Sequence, residues 1–436
     1  MTPRIALAVA PAGPLGLGQA RILLLAWLLG RRLGGQVILR IEGAPRPEQR
    51  AAAEAELRWL GLDWDEVSVR AEHPERYAAA AEALKAAGRL YPCFESEAEL
   101  NAKRERRLRE RRAVLYDRAM LRLTPEQRAA AEAGGKLPHW RFLLSGRPVA
   151  WEDLVLGRAE VKLPAMSDPV LVTADGAPLG LLAAVADAAA ERVTHVVRAA
   201  ELIGQSGLGR DVLAALGAPT PVLAHPAGLA GADGKRLDRR AARLTLHALR
   251  ADGVLPEVLA AYLADPGAGR GKAARPAEMV AGFDLRRCAA GGFEMPALLR
   301  LNRRALAEAP FAAVAGRLPA GATEAFWHAV RGGVDLLAEA RGYWDVVAGS
   351  IVPPAVEGEE ALLAAARETL PAEPWDDAVW TRWTTALAAR LGRPVEALEA
   401  PLRLALTGEE DGPGLTALLP LIGRARVVRR LADAAG

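Results

Sequence analysis

Apolar residues near the start of the chain occur first as a continuous run and then at helical spacing. The run Ile5–Val9 is followed by a glycine-rich turn, and Ala20–Gly30 then has the apolar periodicity of a helix. A second run, Val37–Ile41, is rich in β-branched residues, and Pro47–Leu60 returns to a helical pattern. This order predicts alternating strands and helices, with the strands buried in a parallel sheet.

The alternation stops near residue 72 and resumes near residue 170. The intervening part predicts one helix, Tyr77–Ala87, a very basic stretch, and β structure over Trp140–Leu163. The later segments, with strand, helix and strand patterns in turn, are Pro169–Thr173, Leu179–Ala190 and Val193–Arg198. We therefore expect a sheet domain formed by residues 1–71 and 173–243, interrupted by an inserted domain over 72–172. A parallel sheet of this kind binds nucleotides where its strand order reverses.

Beyond residue 243 the pattern is almost wholly helical, and we expect two further regions, 244–312 and 313–436. Amphipathic helical segments are predicted at Pro256–Leu263, Met295–Glu308 and Val334–Glu339. Trp375, Trp380 and Trp383 favour the core of a helix bundle over stacking on nucleic-acid bases. The predicted fold class is α/β with an inserted α+β domain, followed by an all-α C-terminal region.

Composition narrows the classes of function. The 436 residues are 51% hydrophobic and 25% charged, no apolar run has the length of a membrane span, and residues 1–20 lack the order of a signal peptide. We expect a cytoplasmic protein that binds no membrane. Cys93 and Cys288 are the two cysteines, and no Cys/His cluster has the spacing of a zinc site. The net charge of +3 permits nucleic-acid binding without requiring it.

Two segments are candidates for binding anions. Gly13, Gly16 and Gly18 precede the first helix, and glycines there let backbone N–H groups approach a phosphate. The basic stretch Lys103–Arg112 would neutralise RNA phosphates through Arg106, Arg107, Arg111 and Arg112. The alternative for this stretch is a solvated helix with ion pairs such as Glu105 with Arg109.

Several separated segments, in chain order, resemble motifs of the glutamyl-tRNA synthetase family of class I aminoacyl-tRNA synthetases. The matching segments are Gly18–Arg21 (GGAR), Arg40–Glu42 (RIE of RIED), Leu57–Glu66 (LRWLGLDWDE), Leu90–Phe94, Thr194–Arg198 (THVIR), Ala215–Gly217 and Leu404–Gly408. The series runs from residue 4 to about residue 430. A chance match explains one such segment but not the ordered series.

The resemblance implies a Rossmann-like catalytic domain (1–71 and 173–243), an acceptor-stem-binding insertion (72–172), a helical stem-contact region (244–312) and an anticodon-binding region (313–436). It also implies ATP with Mg²⁺, glutamate and tRNA as substrates. In that reaction the glutamate carboxylate attacks the α-phosphate of ATP, and the terminal ribose of tRNA then accepts the glutamyl group. Another protein is a further candidate partner.

Two loops correspond to the family's nucleotide-binding motifs. The HIGH-type loop falls on Gly13, Gly16, Gly18 and Arg21, with Gly16 in place of the histidine. The KMSKS-type loop falls on residues 234–240, with Arg236 and Arg239 as the ATP-contacting cations and Asp238 in place of serine. Gly16, Gly18 and Arg239 thus occupy the positions of catalytic residues. Without this context, residues 234–240 favour a solvated basic loop.

The amino-acid site falls by resemblance on Glu42, Arg198 and Glu201. Arg198 would hold an α-carboxylate and Glu42 an α-amino group, or the two would form a structural ion pair. The family's first-strand arginine falls on Ala6. Glu95 stands where zinc-binding members carry a second cysteine beside Cys93, so we expect no zinc and no other metal ligand set.

Three functions are compatible with these residues. The first is a glutamate–tRNA ligase that acts weakly or through rearranged contacts. The second is a catalytically inactive paralogue that binds RNA or a partner protein, and the third is a ligase for a different acyl acceptor or substrate. Loss of several polar groups from the pocket favours the second, because each such loss typically costs ~3 kcal/mol of transition-state stabilisation.

Overall fold

The computed structural model describes residues 2–435 apart from 232–233, 236, 238–242, 267–271 and 289–291. The described chain divides into two compact units, one formed mainly by residues up to His247 and the other mainly by residues from Met295 onward. No helix of the described residues has both the length and the hydropathy needed to cross a membrane.

A parallel five-stranded sheet forms the centre of the first unit. Its strands are β1 (Arg4–Val9), β2 (Gln36–Ile41), β3 (Glu66–Val69), β9 (His195–Val197) and β10 (Val222–Ala224). Their spatial order is β10-β9-β1-β2-β3, so the chain moves outward from β1 on one side and later returns to its other side. The order therefore reverses between β1 and β9, and the predicted α/β fold is confirmed.

Helices connect these strands. They are α1 (Leu17–Arg32), α2 (Pro47–Trp59), α6 (Gly180–Ala190) and α7 (Ile203–Ala215). Helix α1 crosses the sheet closely at Gly30, where an added Cβ would lie 3.2 Å from the Val37 side chain. Apolar residues of β1 alternate, with Ile5, Leu7 and Val9 fully buried. The early hydrophobic runs thus form the elements that their spacing predicts.

The insertion lies between β3 and β9 in the chain. It contains α3 (Pro74–Ala86), β4 (Leu90–Cys93), α4 (Glu97–Arg109), α5 (Pro125–Ala133), β5 (His139–Phe142), β6 (Val149–Asp153), β7 (Gly157–Val161) and β8 (Val170–Val172). Strands β4, β5 and β8 form one antiparallel sheet, and β6 pairs with β7 in a hairpin. The fold therefore contains the expected α+β insertion, whereas its functional boundaries remain predictions.

Every helix after the sheet is shorter than α1. They are α8 (Leu246–Asp252), α9 (Pro256–Ala264), α10 (Pro276–Met279), α11 (Met295–Glu308), α12 (Phe311–Val314), α13 (Glu324–Val330), α14 (Ala340–Ala348), α15 (Glu360–Thr369), α16 (Val379–Leu391), α17 (Glu396–Thr407), α18 (Leu415–Ile422) and α19 (Arg424–Asp433). The all-helical C-terminal region is confirmed.

One helical prediction in this region is wrong. Residues 334–336 are not helical, and only a 3₁₀ turn, Leu337–Glu339, forms before α14. The Leu337 amide donates to the carbonyl of Gly253, and a Cβ at Gly253 would lie 2.6 Å from that amide nitrogen. This close backbone contact fixes the segment as a turn, which local periodicity does not reveal.

Large side chains fill the helical unit. Trp380 and Trp383 are buried, with ring centroids 5.9 Å apart in an edge-to-face arrangement, as expected for core residues. Arg430 is also fully buried and donates to the carbonyls of Leu406 (2.8 Å) and Val346 (2.5 Å). Burial lowers the pKa of Arg430 to about 10. This arginine is therefore structural.

Candidate functional site

A cavity of about 670 Å³ lies where the strand order reverses, at the carboxyl ends of β1, β2 and β9. The loop after β1 and the start of α1 line it through Ala10, Ala12, Gly13, Pro14, Gly16, Leu17 and Gly18. Parallel sheets bind ligands in such a crevice. The cavity is thus the first candidate for a nucleotide or amino-acid site.

The three loop glycines line or border free space. An ideal Cβ added at Gly13, Gly16 or Gly18 would meet no atom within 4 Å. Gly16 caps α1 with φ −71° and ψ 151°, which other residues also adopt, so backbone strain does not require glycine there. Gly18 lines the cavity, and as a first-turn residue of α1 its N–H has no intrahelical acceptor. The loop can therefore receive a phosphate on backbone donors.

Backbone contacts hold this loop in place. The Leu15 amide donates to the Glu56 carboxylate over 2.8 Å, and Gly16 pairs with Thr245 in an isolated β-bridge. The Leu17 amide donates to the carbonyl of Leu244 at 3.1 Å. These contacts with packed groups hold the loop in position.

Arg21 lies elsewhere than the resemblance implies. Its side chain is fully buried, does not line the cavity, and donates to the carbonyl of Cys288 over 3.0 Å. Burial lowers its pKa, which the nearby Cys288 and Asp265 oppose. This buried position gives no support to the expected ATP contact of Arg21, which stays a prediction.

Glu42 and Arg198 follow β2 and β9, the two strands that flank β1, and both line the cavity. Glu42 pairs with Arg70 over 2.9 Å. The Arg198 side chain has no hydrogen bond or carboxylate within 4.0 Å among the described residues. Burial lowers the pKa of Arg198, and the charge of Glu42 opposes that change. No ion pair within 4.0 Å joins Glu42 to Arg198 among the described residues, so the geometry gives no support to a structural ion pair, and the roles of both residues stay predictions.

Glu201 lies in the 3₁₀ turn Ala200–Leu202 and is exposed at the rim of the cavity. A Cβ at Gly228 would lie 2.7 Å from Glu201 Oε1, so glycine at 228 admits this carboxylate. The structure thus brings Glu42, Arg198 and Glu201 to the same cavity as the glycine loop.

A buried charge network behind Glu42 was not apparent from the sequence. Arg70 joins Glu42 to Asp187, whose carboxylate lies 3.1 Å from Arg70 Nε. Arg40 is buried against Glu191, with Nε to Oε2 at 2.9 Å. Burial lowers the pKa of Arg70, but the charges of Glu42 and Asp187 reverse the direction and raise it. Only spatial neighbours far apart in the chain create this network, so local motifs do not reveal it.

A second buried network joins the inserted hairpin to the sheet. His225 Nδ1 lies 2.5 Å from Asp153 Oδ2, and its Nε2 lies 2.8 Å from Ser206 Oγ. Burial raises the pKa of Asp153, but hydrogen bonds from His225 and from the amide of Val155 outweigh it, so the pKa is lowered overall. Both the His225 and Asp153 side chains are inaccessible to solvent. The network therefore holds β6 against β10.

The KMSKS-type loop is described in part. Gly234, Lys235 and Leu237 are described, and the Gly231 amide donates to the Lys235 carbonyl over 2.7 Å. Leu237 lines the cavity. Arg236, Asp238 and Arg239 lie outside the described residues, so their expected ATP contacts remain predictions.

The basic stretch forms α4 and the turn after it. Ser96 caps α4, accepting from the Glu99 amide at 3.2 Å. Arg106, Arg111 and Arg112 are exposed and Arg107 is half-buried. In the described chain no ion pair joins Glu105 to Arg109, so the expected helix pairing does not neutralise this surface. Arg112 pairs instead with the exposed Glu110 over 3.4 Å, and Arg107 donates to the Ala113 carbonyl over 3.3 Å. The stretch thus presents a surface that is mainly cationic to an anionic partner.

The Lys103 ammonium lies beside Glu95, which together with Cys93 occupies the position where zinc-binding members of the resembled family carry paired cysteines. Tyr116 Oη lies 3.4 Å from Cys93 Sγ and 2.7 Å from Glu95 Oε2, and the Lys103 ammonium contacts Glu95 directly. Over the described ranges, no group of three His, Cys, Asp or Glu side chains is arranged to hold a metal ion. The absence of zinc stays a prediction, supported by the ammonium at the Glu95 carboxylate.

Two family models and several curated relatives match this chain in sequence. A family model for the catalytic domain of class I tRNA synthetases (E and Q) matches residues 4–280, and an anticodon binding domain model matches residues 354–435. Glutamate–tRNA ligase 2 of Granulibacter bethesdensis is 50% identical over 437 residues, covering 98% of each chain. Glutamate–tRNA ligase 2 of Acidiphilium cryptum is 49% identical, covering 98% of this chain and 99% of the relative.

Solved structures show the same fold. Glutamate-tRNA synthetase from Elizabethkingia anophelis aligns with a TM-score of 0.83 over 100% of both chains, at 22% sequence identity. A glutamate tRNA ligase from Elizabethkingia meningosepticum aligns with a TM-score of 0.81, covering 100% of this chain and 99% of that one, at 21% identity. At this identity the likeness concerns the fold alone.

Proposed function

The chain belongs to the class I tRNA synthetase family (E and Q), and on that premise we propose that it binds tRNA and ATP but attaches glutamate to tRNA slowly or not at all. Relatives named glutamate–tRNA ligase 2 match it over nearly their whole length, which supports glutamate, ATP and tRNA as the reference substrates. Class I synthetases use ATP, and Mg²⁺ would accompany its phosphates. The reference reaction is therefore glutamyl-adenylate formation followed by transfer to tRNA.

The lining of the cavity is the observation that supports slow attachment of glutamate. Ala6, Ala8 and Ala10 form the wall along β1, and Arg198 stands at the end of β9 without a carboxylate partner. Glutamate brings two carboxylates, and a buried carboxylate without a cation or hydrogen-bond donors is strongly disfavoured. The alanine wall offers its backbone and methyl groups but no charged fork for the second carboxylate.

The residues present support parts of the reaction. Arg198 would hold the α-carboxylate and Glu42 the α-amino group, while backbone N–H groups at the start of α1 would receive the phosphates. As the carboxylate oxygen attacks the α-phosphorus, pyrophosphate departs and negative charge builds on the phosphoryl oxygens. Gly16 has no side-chain donor to stabilise that charge. Loss of one such donor costs about 10²–10³ in rate, so slow activation follows.

Binding of tRNA rests on different residues. Arg106, Arg107, Arg111 and Arg112 present four cationic groups on and after α4, and the anticodon binding domain model covers residues 354–435. Neutralising phosphates releases counterions and makes the affinity depend steeply on salt. RNA binding therefore does not require the catalytic groups of the cavity.

Two assays test this function on the full-length protein. Glutamate-dependent exchange of pyrophosphate into ATP, with and without tRNA, should run at least about a thousandfold below the same assay on a glutamate–tRNA ligase 2 relative. Exchange at a comparable rate would overturn the catalytic part of the proposal.

Binding of tRNA is measured by gel shift or anisotropy at two salt concentrations. Replacement of Arg106, Arg107, Arg111 and Arg112 by glutamine should weaken it and lower the salt dependence. The matched control replaces four arginines outside the insertion, Arg32, Arg46, Arg58 and Arg192, by glutamine. Arg111 and Arg192 both have positive φ (53° and 54°), so the two sets match in backbone strain. Equal effects of both sets would contradict a specific RNA surface.

A further inference from the structure

The part of β1 that lines the cavity, with the residue after it, carries only alanine side chains. Ala6, Ala8 and Ala10 line the cavity, whereas the intervening Ile5, Leu7 and Val9 are buried on the other face. Because β strands rise ~3.3 Å per residue, positions 6 to 10 span ~13 Å. A continuous groove, here called the alanine slot, therefore runs along this strand.

The wall opposite the alanine slot is apolar where α6 forms it, through Leu181, Ala184, Val185 and Ala188. Helix α7 supplies Gly209 and Leu213 and also the polar Gln205, Ser206 and Arg210. Alanine and glycine at these positions leave a space between sheet and helices that larger side chains would fill. Protein interiors are normally packed without such space, so the slot is suited to an apolar group from a ligand.

Charge is concentrated at the mouth of the slot. Glu42 and Arg198 follow the two strands on either side of β1, and adjacent strands lie ~4.8 Å apart, which separates the two backbone positions by ~10 Å. The Arg198 guanidinium has no anionic partner in the described part of the chain, although burial penalises its charge. A buried arginine side chain without an ion pair is suited to bind the carboxylate of a ligand.

Taking these features together, we propose that the cavity binds an α-amino acid with an apolar side chain, such as leucine, methionine or phenylalanine, in preference to glutamate. The carboxylate pairs with Arg198, the ammonium group lies toward Glu42, and the side chain enters the alanine slot. The inference rests on the proposed function, since it names the amino acid that the same site accepts.

Arg210 is the residue that could reverse this preference. It lines the cavity and, in the described chain, has no carboxylate within 4.0 Å, but its guanidinium lies over the Trp151 ring, 5.7 Å from the centroid. If Arg210 received the side-chain carboxylate of glutamate, glutamate would bind well and Arg210→Gln would abolish that binding. Burial lowers the pKa of Arg210, and its buried Nε has no hydrogen-bond partner among the described residues, so Arg210 is a second cation of the cavity. Its contact with the Trp151 ring holds it on α7, and glutamate binding to Arg210→Gln tests whether it serves the ligand.

The experiment measures amino-acid binding to the full chain by calorimetry and by the shift in unfolding temperature. Leucine, methionine and phenylalanine should bind about tenfold or more tightly than glutamate, the factor expected for one uncompensated charge. Leucine lacking its ammonium group, 4-methylpentanoate, should bind more weakly than leucine. Stronger binding of 4-methylpentanoate would indicate a simple carboxylate site and overturn the amino-acid assignment.

Two variants separate binding from folding. Arg198→Gln should lose leucine binding by about tenfold or more without lowering the unfolding temperature of the free protein, because it removes a desolvated charge without a partner. Ala8→Leu should fill the slot and block leucine, whereas Ala55→Leu, on an exposed face of α2, should leave binding unchanged.

Three results would overturn the inference. They are tighter binding of glutamate than of leucine, no binding of any apolar amino acid at millimolar concentration, and unchanged leucine binding in Arg198→Gln. Binding of tRNA and ATP, measured on the same preparation, shows separately whether the proposed function holds. Failure of leucine binding with intact tRNA binding would thus reject the slot alone.

Discussion

Two arginines at the same edge of the sheet have opposite environments. Both line the cavity, but Arg40 is paired with the buried Glu191, whereas Arg198 has no carboxylate within 4.0 Å among the described residues. A buried ion pair compensates its desolvation, whereas a desolvated arginine without a partner destabilises the free protein. This difference makes Arg198 a binding group and Arg40 a structural one.

Acid should weaken the hairpin–sheet contact formed by Asp153 and His225. Because the pKa of folded Asp153 lies below its ordinary value, its contribution to stability is present above that ordinary value and is lost as pH falls through the folded pKa. Asp153→Asn should lower the free energy of unfolding at neutral pH by about 3–5 kcal/mol, because it breaks a buried pair. Chemical denaturation across the acid range measures both effects.

The control for this prediction is Asp175→Asn. Asp175 also has a lowered pKa, held mainly by a hydrogen bond from Thr173, but its turn is exposed. Its replacement should change stability little. An equal loss of unfolding free energy in Asp175→Asn and Asp153→Asn would show that the buried network stabilises the fold no more than the exposed turn does.

Gly16 offers a gain-of-function test. Its backbone has φ −71° and an added Cβ meets no atom within 4 Å, so Gly16→His should fold with unchanged stability. If the absent side-chain donor limits activation, the histidine should raise the glutamate-dependent exchange rate by about tenfold or more. Gly13→His, at another open position of the same loop, is the matched control and should not raise it.

At the scale of elements, α7 packs on the inserted hairpin through a glycine. A Cβ at Gly207 would lie 2.6 Å from Val161 Cβ, whereas one at Gly204 would meet only Met166 Cε at 3.9 Å. Gly207→Ala should therefore cost about 1–3 kcal/mol of unfolding free energy despite the better helix propensity of alanine. Gly204→Ala should be neutral or stabilising, and equal losses in both would contradict this packing.

The sequence predicts most elements because local spacing decides them. Ile5–Val9, Val37–Ile41 and Met295–Glu308 form the strand, strand and helix that their periodicity indicates. Val334–Glu339 fails because the backbone of Leu337 packs against Gly253, a residue distant in the chain. Local patterns therefore predict elements well where tertiary contacts agree with them.

The candidate site was predictable only in part. Motif resemblance brought Gly16, Glu42 and Arg198 into one group, and the structure places all three on one cavity. The buried position of Arg21 and the pairing of Glu42 with Arg70 depend on contacts that no local spacing encodes. Sequence thus identifies site positions better than it identifies the partners of each charge.

In the whole molecule, the architecture and the lining of the cavity are separate indications of function. The parallel sheet, the insertion and the helical region with its anticodon binding domain match are those of a class I tRNA synthetase. The cavity at the strand ends has an apolar wall where a second carboxylate would need a cation. We therefore expect this chain to bind tRNA but to form glutamyl-tRNA slowly or not at all.

The most direct test is the single-turnover rate of glutamyl-tRNA formation, measured with tRNA shown to bind the same preparation. A glutamate–tRNA ligase 2 relative, assayed in parallel, serves as the reference. We expect a rate lower by about a thousandfold or more, the effect of one to two lost transition-state donors. A rate within about tenfold of the relative would contradict the account, because the cavity would then activate glutamate without those groups.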